Sequence, residues 1–252
     1  MMNTDSKRFS SNSISSGVAM RELIIASTST VYGGDYLDYL TEEMAELFKD
    51  TEEVIFIPYA RPGGISHDQY TAKAAKAFTE IGKKLVGLHT FDNPVEALKN
   101  AKGAFTGGGN TFVLVNALYR LELMQPLRQA IFKGLPYMGT SAGSNICGVS
   151  MQTTNDMPIV YPPSFKTLGV IPFNLNPHYL DPNPESKHMG ETRETRIAEF
   201  HTQNTVPVVG LREESWLRVK GDEITLKGKL KARVFEQGKE PHEVESGATL
   251  RF

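Results

Sequence analysis

From residue 21 to 139, short apolar runs alternate with segments of helical period, which predicts an α/β fold. The runs are apolar throughout, as strands of a mostly parallel sheet with helices on both faces must be. Beyond Pro207 the runs crowd together with glycine dipeptides between them, which adds antiparallel hairpins at the C-terminal edge.

Residues 23–26 read as the first buried strand. Leu37, Leu40, Met44, Leu47 and Phe48 then recur at helical spacing. Residues 54–57 form the second strand, and Ala74, Ala77, Phe78 and Ile81 mark the next helix. A third strand at 85–88 precedes Pro94, which opens a short helix in its first turn, where a missing N–H costs nothing. A fourth strand at 103–106 runs into Gly107, Gly108, Gly109 and Asn110, and a helix starts at Thr111. The fifth strand is 136–139. The apolar run 168–173 reads as a further strand. Hairpin strands are expected at 206–211, 216–219, 223–226, 232–235 and 248–252, with turns at 221–222, 227–228 and 237–238.

The chain has 252 residues, 40% of them hydrophobic, enough for a sizeable core. No repeat or low-complexity linker interrupts 20–252, so one domain is expected there. Residues 1–19 are rich in Ser and Asn and lack the apolar stretch of a signal peptide; Asp5 and few arginines speak against a transit peptide. They read as a disordered tail or an extension.

A net charge of −2 with scattered basic residues excludes a nucleic-acid footprint. No apolar run reaches the roughly 20 residues of a membrane span. Cys147 is the only cysteine, so neither an intrachain disulfide nor a Cys-x-x-Cys site can form, and a cytoplasmic setting is expected. No ligand-spaced cluster calls for a metal or a cofactor. The composition is compatible with a monomer or a homodimer.

Residues 137–145, YMGTSAGSN, contain G-x-S-x-G between an apolar strand and a run of small residues. A serine on so sharp a turn stands at the carboxyl edge of the sheet, where open α/β sheets bind ligands. This makes Ser141 a candidate nucleophile and the Ala142 N–H a candidate oxyanion donor; the alternative is a serine in a glycine-rich loop. The glycines at 107–109 occupy the same place on the preceding strand. They are either a tight turn or a second donor, with Gly109 N–H the best candidate. They do not match G-x-G-x-x-G.

A serine needs a base. His178, in Asn176-Pro177-His178, follows an apolar run and falls on the ligand side. His89 also ends a strand and is a lesser alternative; the other histidines are read as surface or packing residues. Asp156 and Glu213 both could orient the imidazole, and the residues alone leave the choice open. Cys147 falls after the elbow and reads as a small core residue.

The blocks GGGNTF (107–112), SAGSN (141–145), TTNDMPIV (153–160), NPH (176–178) and GETRETRI (190–197), in this order and spacing, closely resemble the peptidase E family. Its members are α-aspartyl dipeptidases, serine peptidases on a fold similar to class I glutamine amidotransferases. The resemblance covers 20–252. It implies Ser141 as nucleophile, His178 as base, and an oxyanion hole from the N–H groups of Gly109 and Ala142. Asp156 and Glu213 both match acidic positions, so the third member stays open. Thr140 stands where a tryptophan is expected. Substrates with an N-terminal aspartate demand a cation: Arg193, at a helix start, is the best match, against the alternative of a surface arginine paired with Glu191 or Glu194. Asn110 is a second polar contact. A small peptide, Asp-X, is the expected partner. Two other readings are a hydrolase of this fold with a cyanophycin-like substrate and a binding protein that has lost the chemistry.

Overall fold

Five parallel strands carry the centre of the molecule in the computed structural model, which describes residues 20–183, 185, 187 and 190–252. They are β1 (Glu22–Ala26), β2 (Glu53–Ile57), β3 (Lys84–Gly87), β4 (Ala104–Thr106) and β5 (Tyr137–Thr140). The antiparallel hairpin of β8 (Ser215–Lys220) and β9 (Glu223–Gly228) extends the sheet beyond β1, giving the order β3-β2-β4-β5-β1-β8-β9. The expected tail, 1–19, and His188 lie outside the described residues.

Side chains alternate across the parallel strands. Leu23, Ile25, Ile55, Ile57 and Ala104 face one core, with α3 (Pro94–Asn100), α4 (Thr111–Arg120), α5 (Met124–Phe132) and α6 (Ala142–Asn145) packed on it. Ile24, Ala26, Val54, Phe56 and Phe105 face the other, under α1 (Thr41–Leu47) and α2 (His67–Glu80). Each fully buried Leu, Ile or Phe contributes roughly 1.5–3 kcal/mol, so both faces favour this sheet.

The hairpins do not all join the main sheet. β6 (Asn174–Pro177), β7 (Val208–Leu211), β10 (Ala232–Phe235) and β11 (His242–Val244) form a second sheet in the order β11-β10-β7-β6, in which β6 and β7 are parallel. Residues 248–252 contribute one isolated bridge, Thr225 to Thr249, and no strand. The expected strand at 168–173 is absent. Gly169 turns at φ +54°, and the N–H groups of Leu168, Gly169 and Val170 bond to the carbonyls of Ile146, Gly148 and Cys147. This apolar run is a core-filling loop; the strand begins after it, on Asn174.

The helix from Thr111 is interrupted at Glu122, φ +56°, and α5 follows. α2 starts earlier than its apolar spacing suggests, because Ser66 and Gln69 form a reciprocal capping box. The last helix, α7 (Arg193–Phe200), packs Ile197 against Tyr179, Val208 and Phe235 of the second sheet. Among the described residues no helix is long and apolar enough to cross a membrane.

Candidate active site

Ser141 follows β5 with φ +52° and ψ −109°. A positive φ on a serine is strained backbone, and the surroundings hold it there. Its N–H donates to Ala26 O at 3.2 Å, one more rung of the β1–β5 ladder, while Ser141 O accepts from the N–H groups of Ser144 and Asn145 to start α6. Both flanking glycines are required. A Cβ on Gly139 would stand 2.3 Å from Gly143 O, and one on Gly143 would stand 2.1 Å from Thr106 O. Since backbone cannot yield as a side-chain tip can, Gly143→Ala should cost about 3 kcal/mol and lower the melting temperature by several degrees, measured by calorimetry.

The other half of the site comes from the second sheet. β6 and β7 pair in register, Pro177 opposite Leu211, so the residues just past their ends emerge side by side. His178 is one residue beyond β6 and Glu213 two beyond β7. His178 Nε2 lies 2.9 Å from Ser141 Oγ, and His178 Nδ1 lies 2.8 Å from Glu213 Oε1. A carboxylate only accepts, so Nδ1 carries the proton and Nε2 is free to accept from the serine hydroxyl. Both side chains are partly open to water, His178 39% and Glu213 46% exposed.

A residue that the sequence did not single out ties these parts together. Ser27, fully buried at the end of β1, accepts the His178 N–H at 2.9 Å and donates to Leu211 O at 2.7 Å. One hydroxyl thus braces His178, itself at φ +54°, against the strand that leads to Glu213. The only sequence trace of it is a small polar residue directly after an apolar strand.

The glycine loop after β4 lies against the serine. A Cβ on Gly108 would be 3.1 Å from Ser141 Cβ. Gly109 has φ +146°, and a Cβ there would meet Ala60 O at 2.2 Å, so glycine is required. Asn110 N–H donates to the same carbonyl at 2.7 Å. Ala142 is the first residue of α6, so its N–H has no partner within the helix.

Asp156 is not in contact with the imidazole. Its Oδ2 accepts from the N–H of Thr111, at the start of α4, at 2.7 Å and from Thr154 Oγ1 at 3.1 Å. Asn110 caps the same helix, Oδ1 accepting from Val113 N–H, and its Nδ2 donates to Met157 O at 2.9 Å. Arg193 opens α7, half-buried, on a cleft of about 290 Å³ shared with Leu180, Asp181 and Asn183. The alternative pairing of Arg193 is not seen: Glu191 pairs with Arg196 and Glu194 with Arg233. Among the described residues Arg193 has no ion-pair partner. Burial and Arg196 lower its pKa, and Asp156 opposes them.

His89 follows β3, three strands from β5, its Nε2 2.7 Å from Asp68 Oδ1 and its ring against His67. His201 bonds Val206 O. Cys147 is fully buried, which pushes its thiol far up and leaves it inert.

A serine hydroxyl, an imidazole and a carboxylate in line, beside glycine-rich turns at the carboxyl ends of parallel strands, form the arrangement of a serine hydrolase on an α/β sheet. The chain belongs to peptidase family S51, which it matches over residues 23–227. It is 47% identical to "Peptidase E" of Streptomyces coelicolor over 228 residues, 90% of this chain and 93% of the relative. It is 43% identical to the "Probable alpha-aspartyl dipeptidase" of Drosophila melanogaster over 92% of this chain and 97% of that one. The crystal structure of a peptidase from an acI-B1 Actinobacterium shares the fold, with a TM-score of 0.71 at 19% identity over 94% of this chain and 98% of that one.

Proposed function

We propose that this chain is a serine dipeptidase that hydrolyses dipeptides with an N-terminal aspartate through an aspartyl-enzyme. The observation that carries this is the unbroken relay from Ser141 Oγ through His178 to Glu213. The 47% and 43% identities to named peptidases support the substrate class.

Ser141 Oγ attacks the aspartyl carbonyl as His178 Nε2 takes its proton. Glu213 holds the opposite N–H and stabilises the imidazolium. The oxyanion is received by the N–H groups of Gly109 and Ala142. Collapse breaks the C–N bond, and His178 protonates the departing amine. Water, deprotonated by His178, then hydrolyses the ester on Ser141. None of these steps calls for a metal or a cofactor.

Arg193 is assigned to the substrate's side-chain carboxylate, because it is half-buried and outside every ion pair among the described residues. Asp156, whose charge acts to raise the Arg193 pKa, is assigned to the substrate's α-amine. Asn110, which holds the loop at Met157, is assigned as a second polar contact to the substrate. The single cysteine fits a reducing, cytoplasmic setting, with the protein as a monomer or homodimer and without a nucleic-acid or membrane partner.

The test is a panel of Asp-X and Asn-X dipeptides together with a serine-reactive phosphonate. Asp-X should be cleaved, Asn-X cleaved poorly, and the phosphonate should label Ser141. Arg193→Met should lower kcat/KM for Asp-X roughly 100-fold, since a hydrogen bond to a charged group contributes about 1.5–3 kcal/mol, and should leave Asn-X nearly unchanged. An unaltered Asp/Asn preference in that variant removes Arg193 from the assignment. Cleavage of a branched Asp-rich polymer in place of free dipeptides would favour a cyanophycin-like substrate.

A further inference from the structure

The Gly108–Gly109 peptide is held from behind by α2. Tyr70, 5% exposed, donates its hydroxyl proton to Gly108 O at 3.0 Å. The phenol is itself fixed. Its ring meets Phe56 edge-on at 5.0 Å, the Arg61 guanidinium lies over it at 5.8 Å, and its oxygen is 3.5 Å from that of Tyr36. Gly107 passes so close that a Cβ there would lie 2.3 Å from the Tyr70 oxygen.

The described residues contain no cis peptide, and a trans peptide points its C=O and N–H in opposite directions. With the Gly108 carbonyl drawn toward Tyr70, the Gly109 N–H is turned away from it. Ser141 stands beside this peptide, its Oγ 3.7 Å from where a Gly108 Cβ would be. The next peptide is pinned as well, through the bond from Asn110 N–H to Ala60 O. We infer that Tyr70 is the positioning residue of the oxyanion hole: its hydroxyl fixes the Gly108–Gly109 peptide with the Gly109 N–H facing the reacting carbonyl. Accepting at one end of a peptide also strengthens donation at the other, so the phenol polarises the donor that it aims. Burial raises the Tyr70 pKa, which keeps the phenol protonated and donating through the neutral range.

This rests on the assignment of Gly109 N–H to the oxyanion, and the test separates the two. Full-length wild type and Tyr70→Phe are compared in three measurements: kcat and KM for an Asp-X dipeptide, affinity for free aspartate, and affinity for the α-aldehyde of aspartate. The aldehyde accepts the Ser141 oxygen at its carbon and moves its C=O pair onto oxygen, so it fills the hole; aspartate does not. Phe keeps the ring packing and deletes only the hydroxyl. A misaimed donor should cost less than the roughly 10²–10³-fold loss of an absent one, so kcat should fall about 10- to 100-fold. The aldehyde should weaken by the same factor, and KM and aspartate affinity should stay within about twofold. A role confined to stability would move the melting temperature and leave the aldehyde-to-aspartate ratio alone. Unchanged kcat, or equal weakening of aldehyde and aspartate, overturns the inference. If wild type binds the aldehyde no tighter than aspartate, the parent assignment fails instead. Gly107→Ala, which pushes the phenol aside, should reproduce the same selective loss and gives a second route should Tyr70→Phe fold poorly.

Discussion

Ser141→Ala should lower Asp-X turnover about 10⁶-fold while the protein remains folded. The size follows from the relay: without the hydroxyl, His178 has no oxygen to deprotonate and no ester can form. The oxyanion donors and the substrate contacts survive the change, so binding of free aspartate should persist within a few-fold. The Ser141 hydroxyl holds no other part of the fold, because the hydrogen bond to His178 Nε2 is the one it makes among the described residues. Turnover near the wild-type rate in a folded Ser141→Ala protein would sink the mechanism. The check is steady-state kinetics beside a melting curve.

The second large effect is expected at Glu213. Replacing an orienting carboxylate by an amide leaves the geometry but admits the wrong tautomer, because an amide N–H can donate to Nδ1 and drive the proton to Nε2. His178 then has nothing with which to accept the serine proton. Glu213→Gln should lower kcat about 10⁴-fold with little change in KM. Asp156→Asn should behave differently. Its Oδ2 caps α4 and does not touch the imidazole, so the variant should raise KM, by roughly 10-fold for a weakened contact to the substrate amine, with a smaller loss of kcat. It should also lose about 1 kcal/mol of stability through the cap. The reverse pattern, with kcat collapsing in Asp156→Asn alone, would exchange the two roles.

The five parallel strands were legible because burial on both faces leaves a plain apolar run in the sequence. The same rule misread 168–173, which fills the core as a loop. The true strand there starts on Asn174, whose side chain accepts from Ser150 N–H, and includes Asn176, which donates to Thr153 O. Those bonds fasten the segment that leads to Asp156, so polar residues took strand positions for a reason that apolar patterning does not encode. β11 is short and mostly exposed, so it has no pattern to read. Ser141 and Glu213 follow strand ends that the apolar pattern marks, whereas His178 is reached only through the misplaced run 168–173 and stands one residue past β6. That Glu213 rather than Asp156 lies against the imidazole is visible only in the register of β6 against β7. Tyr70 carries no local signal and Ser27 only a faint one, because their partners lie 38 residues away for Tyr70 and 151 and 184 for Ser27.

The division of the relay between two sheets has a consequence for biosynthesis. A chain leaves the ribosome N-terminus first, so the glycine loop and the serine turn exist before the strands that carry the imidazole and the carboxylate. β1 also lacks its neighbour β8 until residues 215–220 have emerged. Throughout that interval the nascent polypeptide holds a hydroxyl that nothing can deprotonate. It acquires a proton acceptor only when the late strands dock and the Ser27 brace closes. The relay is thus complete only once β6 and β7 have docked beside the serine turn, and a chain that stops short of them lacks it.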